Sequence, residues 1–399
     1  MYELYCRTYQ GTMKMASYVL PWREPVLLQG ENSLAKLPKL IKTKNLESVL
    51  IVTDQGITSI GLMDDFLEGL KAEGIKFFVY DKTVPNPTID NIEEAYQMYK
   101  ANQCQGIVAF GGGSPMDCAK GVGARAAKPN KSIPKMKGVL KVLKSIPPLF
   151  AIPTTAGTGS EATLAAVVSN SQTHEKYAIM DTSLIPHYAV LDPLLTIGLP
   201  PHITAATGID ALTHAVEAYI GKSNTKSTTR WSIEAVKLTF DNLYECYENG
   251  TNVTARTNMQ RAAYLAGMAF TRAYVGYVHA IAHTLGGFYS VPHGLANAII
   301  LPYVLEYYGE SVHKPLAELA DVVGLGVPSY TEELKAKKFI KAVKQLNKKM
   351  NIPEKVSGIV DSDIPLMVER ALKEANPLYP VPKILCKDDL LKLYHMIKE

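Results

Sequence analysis

The sequence predicts two parts, an N-terminal α/β domain over residues 1–197 and an all-α domain over residues 198–399. Three observations carry this. Short β-branched and aromatic runs alternate with amphipathic stretches in the first half, the rhythm of a mostly parallel sheet covered by helices. That rhythm stops at a proline-rich stretch, Asp192-Pro193 to Leu199-Pro200-Pro201, which reads as a linker or hinge. Beyond it, helical spacing dominates. A length of 399 residues also exceeds what one ordinary core serves.

Each element has its own signal. The stretch 3–20 alternates around Gly11 and reads as a hairpin or edge arm. Strands are expected at 48–53, 76–80, 106–110, 149–152 and 188–191, with helices at 62–73, 88–102 and 115–127. The stretch 163–180 reads as an inserted hairpin. Further helices are expected at 205–220, 230–248, 257–270, 278–288, 332–350 and 387–398. Ser329 and Glu332 have capping-box spacing for the helix that follows them.

Composition excludes several classes. The chain is 47% hydrophobic and 20% charged, with a net charge of +4, too small and too dispersed for nucleic acid. The densest basic run, 335–349, carries Phe339, Val343, Leu346 and Met350 at helical spacing and reads as the wet face of one helix. Cys6, Cys104, Cys118, Cys246 and Cys386 are scattered and odd in number, so no disulfide framework or zinc knuckle is expected. Reduced thiols of a cytoplasmic protein are. No apolar run reaches membrane-spanning length, and no signal-peptide stretch is seen at the start.

Two loops point to a phosphate-bearing ligand. Gly111-Gly112-Gly113-Ser114 follows a strand and opens a helix, with Pro115 at the start of that helix. Glycines let the backbone approach a ligand, and a helix N-terminus offers free N–H groups to a pyrophosphate. The loop is not the G-x-G-x-x-G fingerprint. Pro153-Thr154-Thr155-Ala156-Gly157-Thr158-Gly159-Ser160 follows the strand at 149–152 with hydroxyls and glycines suited to phosphate and ribose. Ligands of open α/β sheets sit at such strand ends. Asp54, ending the strand at 48–53, suits a ribose and would repel a 2′-phosphate, which favours NAD over NADP. Its bland alternative is a helix or turn cap.

The all-α half carries a metal-ligand pattern. Asp210 and His214 are four apart in an apolar helical stretch, as are His279 and His283, and His293 lies just past an expected helix break at Gly286-Gly287. Residues four apart share a helix face. Buried carboxylate and imidazole need partners, and both are good ligands for Fe²⁺ or Zn²⁺. Spacing leaves open which three or four bind.

These stretches resemble the iron-containing (group III) alcohol dehydrogenases. The resemblance is carried by Gly111-Gly-Gly-Ser-Pro-Met-Asp117, Pro153-Thr-Thr-Ala-Gly-Thr-Gly-Ser-Glu161, Asp210-Ala-Leu-Thr-His214, His279-Ala-Ile-Ala-His283 and Pro292-His-Gly294, and covers nearly all of the chain after about Pro21. It implies a Rossmann-like dinucleotide-binding domain plus a helical metal domain, the dehydroquinate synthase-like architecture. By motif matching it implies Asp210, His214, His279 and His293 as metal ligands, with His283 beside the metal as a candidate proton relay. Cofactor contacts are implied at Asp54, Asn86, Gly112, Gly113, Ser114, Asp117, Thr154, Thr155, Thr158 and Lys176. The implied activity is hydride transfer between NAD(H) and a small alcohol or aldehyde, in a homo-oligomer. Three stretches depart from the family pattern: Thr271 to Tyr277, with Arg272, Tyr274 and Tyr277 beside the implied pocket; Ala165, where an asparagine is usual; and Asn376 to Pro382. The rival readings are a zinc-dependent, glycerol-dehydrogenase-like polyol oxidoreductase and a dehydroquinate-synthase-like lyase. The lyase needs a basic cluster at the metal, for which Arg272 is the one obvious candidate.

Overall fold

The computed structural model describes residues 1–171 and 175–399. Contacts divide the chain into two units, one of residues 21–155 and 159–198, the other of residues 1–20, 156–158 and 199–399. The chain opens on helix α1 (Tyr2–Ser17), not on a hairpin or edge arm, and α1 belongs to the helical unit. Placing residues 1–20 with the α/β part is therefore corrected. The reason lies in side chains: Arg7 and Gln10 find their acceptors at Pro377, Tyr379, Val381 and Pro382, contacts no local pattern announces.

The α/β unit contains β1 (Val26–Gln29), α2 (Leu37–Thr43), β2 (Ser48–Val52), α3 (Gln55–Ser59), α4 (Asp64–Ala72), β3 (Lys76–Tyr80), α5 (Ile89–Ala101), β4 (Gly106–Gly111) and α6 (Gly113–Ala127). There follow β5 (Gly138–Val139), β6 (Leu149–Pro153), β7 (Ala165–Ser169), β8 (Lys176–Met180) and β9 (Tyr188–Leu191). Among the described residues, six strands form one sheet in the order β1-β9-β6-β4-β2-β3, every pairing parallel. The central strands β2, β4 and β6 are buried at every position, as expected where helices cover both faces. Alternate residues divide between two cores. Leu50, Ile107 and Leu149 pack with Ile92 of α5 and Met116 of α6. Val49, Val108 and Phe150 pack with Ile41 of α2 and Phe66 of α4. β7 runs antiparallel to β8, as expected of the hairpin, with β5 alongside β8. Asp192 caps a short 3-10 turn at Pro193–Thr196 and also accepts from Leu34 N–H, so the proline-rich stretch begins as tied structure.

The helical unit adds α7 (Pro201–Ile220), α8 (Lys226–Glu248), α9 (Val253–Ala273), α10 (Tyr277–Tyr289), α11 (His293–Tyr308), α12 (His313–Val322), α13 (Glu332–Lys349), α14 (Ile364–Ala375) and α15 (Lys387–Ile397). Helix α7 is buried nearly all round and packs on α8, α9 and α11. Two local readings change. Gly286-Gly287 does not break α10, which runs on to Tyr289 and ends at Ser290 in the left-handed region, leaving Pro292 to lead into α11. The cap of α13 is Thr331, whose side chain accepts from Leu334 N–H, not Ser329.

Helix α11 has Pro302 inside it, the signal that hides it from sequence reading. Proline cannot donate to the carbonyl four residues back. That carbonyl, Ala298 O, accepts instead from Asn347 Nδ2 of α13 at 2.6 Å.

A fully buried amine ties the α/β unit together. Lys120 Nζ donates to Ser160 Oγ, Thr163 Oγ1 and Ala165 O, each at 2.9 Å. Burial pulls it down to about 8 and pushes neighbouring Glu161 up to about 7. Lys120→Met leaves three acceptors and two buried carboxyl groups, Asp117 and Glu161, without their cation. The variant is expected to lose about 3–5 kcal/mol of unfolding free energy in urea titrations against the parent chain. A loss below about 1 kcal/mol would show that the amine contributes no more than an ordinary surface group.

Candidate metal centre and cofactor loops

The cluster is built on α7. Asp210, His214 and Glu217 are four and three apart, so all three share one face of that helix. Helix α10 brings His279, and α11 opens on His293. Two glycines permit the approach. A Cβ on Gly294 would lie 2.5 Å from Ala206 O, so only glycine lets the start of α11 touch α7 there. A Cβ on Gly276 would lie 2.7 Å from Glu217 Oε1.

One ligand atom each from Asp210, His214, His279 and His293 lies within 4.8 Å of all the others. His279 Nε2 and His293 Nε2 stand 3.9 and 3.7 Å from Asp210 Oδ1. The donor set, one carboxylate and three imidazoles, suits Fe²⁺ or Zn²⁺. The lone pairs converge. A single donor atom, Asn297 Nδ2, is 2.7 Å from Asp210 Oδ1 and 3.2 Å from both His279 Nε2 and His293 Nε2. Acceptors that gather on one donor in this way fit a cation.

The buried carboxylate of Glu217 supports the cluster from behind. Its Oε2 accepts from His279 Nδ1 at 2.6 Å and from Gly276 N at 2.9 Å, and its Oε1 accepts from Val278 N at 2.9 Å. This fixes the His279 tautomer with its proton on Nδ1 and the Nε2 lone pair turned into the cluster. Burial opposes charge on His279, yet the Glu217 bond and the charges of Glu217 and Asp210 raise its proton affinity overall. His214 goes the other way: burial, then His279 and His283, hold it well below the usual range, which favours the neutral imidazole. Its ring stacks on Phe270, with centroids 4.1 Å apart.

His283 lies outside the four-atom cluster. Its ring stacks on His293, and its Nδ1 meets Glu374 Oε1 at 2.7 Å. Tyr379 Oη donates to the same oxygen at 2.8 Å. Arg272 lies over the Trp231 ring, and Tyr277 is fully buried with its hydroxyl donating to Asn376 Oδ1.

Sequence reading did not find Glu217, Asn297, Glu374 or Tyr379. A signal existed for two of them. Glu217 continues the Asp210–His214 face by three residues, and Asn297 follows His293 by four on α11. Glu374 had none, and Tyr379 only its place in the divergent stretch 376–382; Glu374 meets His283, and Tyr379 meets Glu374, from a distant part of the chain.

In the α/β unit the strand order reverses around β2 and β4, and the ends of these strands carry the expected residues. Asp54 follows β2 and caps α3, its Oδ1 accepting from Ile57 N at 3.1 Å, so the cap reading is met; its Oδ2 faces Gly111. Gly111, at φ +146°, leads into Gly112, Gly113 and Ser114 at the start of α6. Thr154 N bonds to Gly111 O, and Thr155 packs over Gly112, so the two loops are adjacent. Asn86 joins them: its N–H donates to Ser114 Oγ at 3.3 Å and its Oδ1 accepts from Lys176 Nζ at 2.7 Å. Asp117 stands apart. It is buried, and its oxygens accept from Ser160 Oγ and Val167 N. Thr158 groups with the helical unit, beside Gly157, which packs against Thr207 of α7.

An all-parallel sheet with ligand-type loops at its switch point, together with a helical unit holding an Asp–His₃ cluster, is the build of a metal-dependent dinucleotide oxidoreductase. The chain belongs to the iron-containing alcohol dehydrogenase family: residues 25–193 match that family, and residues 204–397 match its C-terminal part. It is 38% identical over 367 residues to 1,3-propanediol dehydrogenase of Klebsiella pneumoniae, covering 91% of this chain and 94% of that one. It is 33% identical over 362 residues to NAD-dependent methanol dehydrogenase of Bacillus methanolicus, covering 90% and 94%. The crystal structure of a 1,3-propanediol oxidoreductase superposes with a TM-score of 0.90 at 35% identity, covering 95% of this chain and all of that one. These relatives do not favour the lyase or glycerol-dehydrogenase-like readings. The chain is an alcohol or aldehyde oxidoreductase.

Replacing Glu217 with glutamine keeps the shape but removes the charge behind His279. The affinity for Zn²⁺, read by chelator competition, is expected to fall roughly 10- to 100-fold. An unchanged affinity would mean that Glu217 serves packing alone.

Proposed function

We propose that this chain interconverts a small alcohol and its aldehyde with NAD(H), holding one Fe²⁺ or Zn²⁺ through Asp210, His214, His279 and His293. The observation that carries the reading is the convergence of those four ligand atoms, with Glu217 orienting one of them. When bound, the ion supplies Lewis acidity to the substrate oxygen and the nicotinamide supplies or accepts the hydride.

The chain's own residues do the rest. Gly112, Gly113 and Ser114 offer the N-terminus of α6 to the cofactor's phosphates, with Thr154, Thr155 and Thr158 as hydroxyl contacts. Lys176 and Asn86, already paired, flank them. Asp117 holds the loops by bonding Ser160. The Asp54 carboxylate favours a free ribose 2′-hydroxyl over a 2′-phosphate, which supports NAD over NADP. His283 gives or takes the substrate proton, with its Nδ1 held by Glu374. Among the described residues no helix is long and apolar enough to cross a membrane. The five cysteines are free, and four are buried, which supports a reducing, cytoplasmic setting. A homo-oligomer belongs to the same reading.

Two experiments test it. Stripped of metal, the protein should lose turnover on a panel of small aldehydes and regain it with Fe²⁺ or Zn²⁺, NADH serving better than NADPH. Turnover indifferent to metal would overturn the central assignment. His283→Ala should slow turnover and alter its pH profile; if both match the parent, His283 is only a neighbour of the ligands.

A further inference from the structure

Helix α1 lies outside the family match, which begins at residue 25. What it holds is specific. The segment from Asn376 to Pro382 contains Pro377, Pro380 and Pro382, which have no N–H and cannot continue a helix or a ladder. Tyr379 O accepts from Val381 N within the segment and Pro380 O from Lys222 N, and side-chain donors of α1 serve further carbonyls. Arg7 donates to Val381 O at 2.7 Å and Pro382 O at 3.0 Å. Gln10, itself buried, donates to Tyr379 O at 2.8 Å and Pro377 O at 3.2 Å. Arg7 also bonds to Gln10 Oε1, so the two act as one fork.

That segment carries Tyr379. Its hydroxyl donates to Glu374 Oε1, the oxygen that meets His283 Nδ1. With a carboxylate as acceptor, His283 carries its proton on Nδ1 and presents Nε2 as a lone pair. The path thus runs from α1 through the backbone of 377–382, to Tyr379, Glu374 and His283. The same helix also lies beside a strained residue. Tyr274 sits at φ +65°, ψ −179°, a conformation that only glycine adopts freely. Burial, with Tyr9 of α1 nearby, pushes its hydroxyl up to about 12.

We propose that α1 is a strap whose Arg7–Gln10 fork positions His283 through the Pro377–Pro382 segment, Tyr379 and Glu374. This rests on the reading of His283 as the residue that acts on the substrate. Arg7, Gln10, Tyr379 and Glu374 are positioning residues and bind neither metal nor cofactor.

The test uses full-length, metal-loaded protein with NADH and a small aldehyde. Arg7→Met with Gln10→Leu should speed amide exchange across 376–385. It should also lower kcat roughly 2- to 30-fold, leaving the KM for NADH and the metal content as in the parent. In a His283→Ala background the same pair should cause no further loss, because the path ends at His283. Full multiplication of the two losses, unchanged exchange, or a loss of metal content would each overturn the strap. If the double variant does not fold, Tyr379→Phe, which removes one hydroxyl, must show the same kcat-only loss and the same lack of additivity. If His283→Ala alone leaves kcat intact, the reading of His283 has failed. Exchange across 376–385 still decides separately whether α1 holds the segment.

Discussion

The helical unit is organised around one buried carboxylate. Glu217 accepts two backbone N–H groups at the start of α10 and the Nδ1–H of His279. A buried charge of this kind is costly unless every lone pair is used, and the helix N-terminus favours it further. Satisfying it locks α10 against α7 in one register. The rest of the cluster follows from that lock. His214 and Asp210 lie one and two turns back along α7 and so face the ring that Glu217 holds. Gly276 is the corollary, since a side chain there would strike the carboxylate.

The α/β unit solves a similar problem with a cation. Lys120 is buried among hydroxyls and a carbonyl supplied by residues 160–165, while Asp117, one turn earlier on α6, takes Ser160 as well. Helix α6 and the second loop are therefore joined beneath the surface by charged side chains. Strand order does the remaining positioning, because β4 and β6 are neighbours and their loops emerge side by side.

Much of this was legible. The central parallel strands are nearly unbroken apolar runs, while the short edge strand β1 was not expected, and the long helices carry clear spacing. The metal cluster showed itself because histidine and aspartate are conspicuous in apolar stretches. What stayed hidden has particular causes. α11 was obscured by Pro302, whose missing donor is replaced by Asn347 from another helix. α1 was obscured by Gly11 and by a polar fork whose acceptors lie more than 360 residues away. Glu374 carries no local mark, because only the fold places it beside His283. Short-range pattern shows which residues could do chemistry; it does not show which distant ones orient them.

The fork between Arg7 and Pro382 spans 375 positions. Closing so long a loop has a large entropic cost, and contacts of this separation form late. During synthesis α1 is made long before residues 377–382 and waits for them before its acceptors exist. The α/β unit, whose contacts lie within residues 21–198, is complete far earlier. The helical unit therefore completes its contacts to α1 only once residues 377–382 have been made, whereas Leu4 and Tyr5 of α1 stay exposed even in the folded chain.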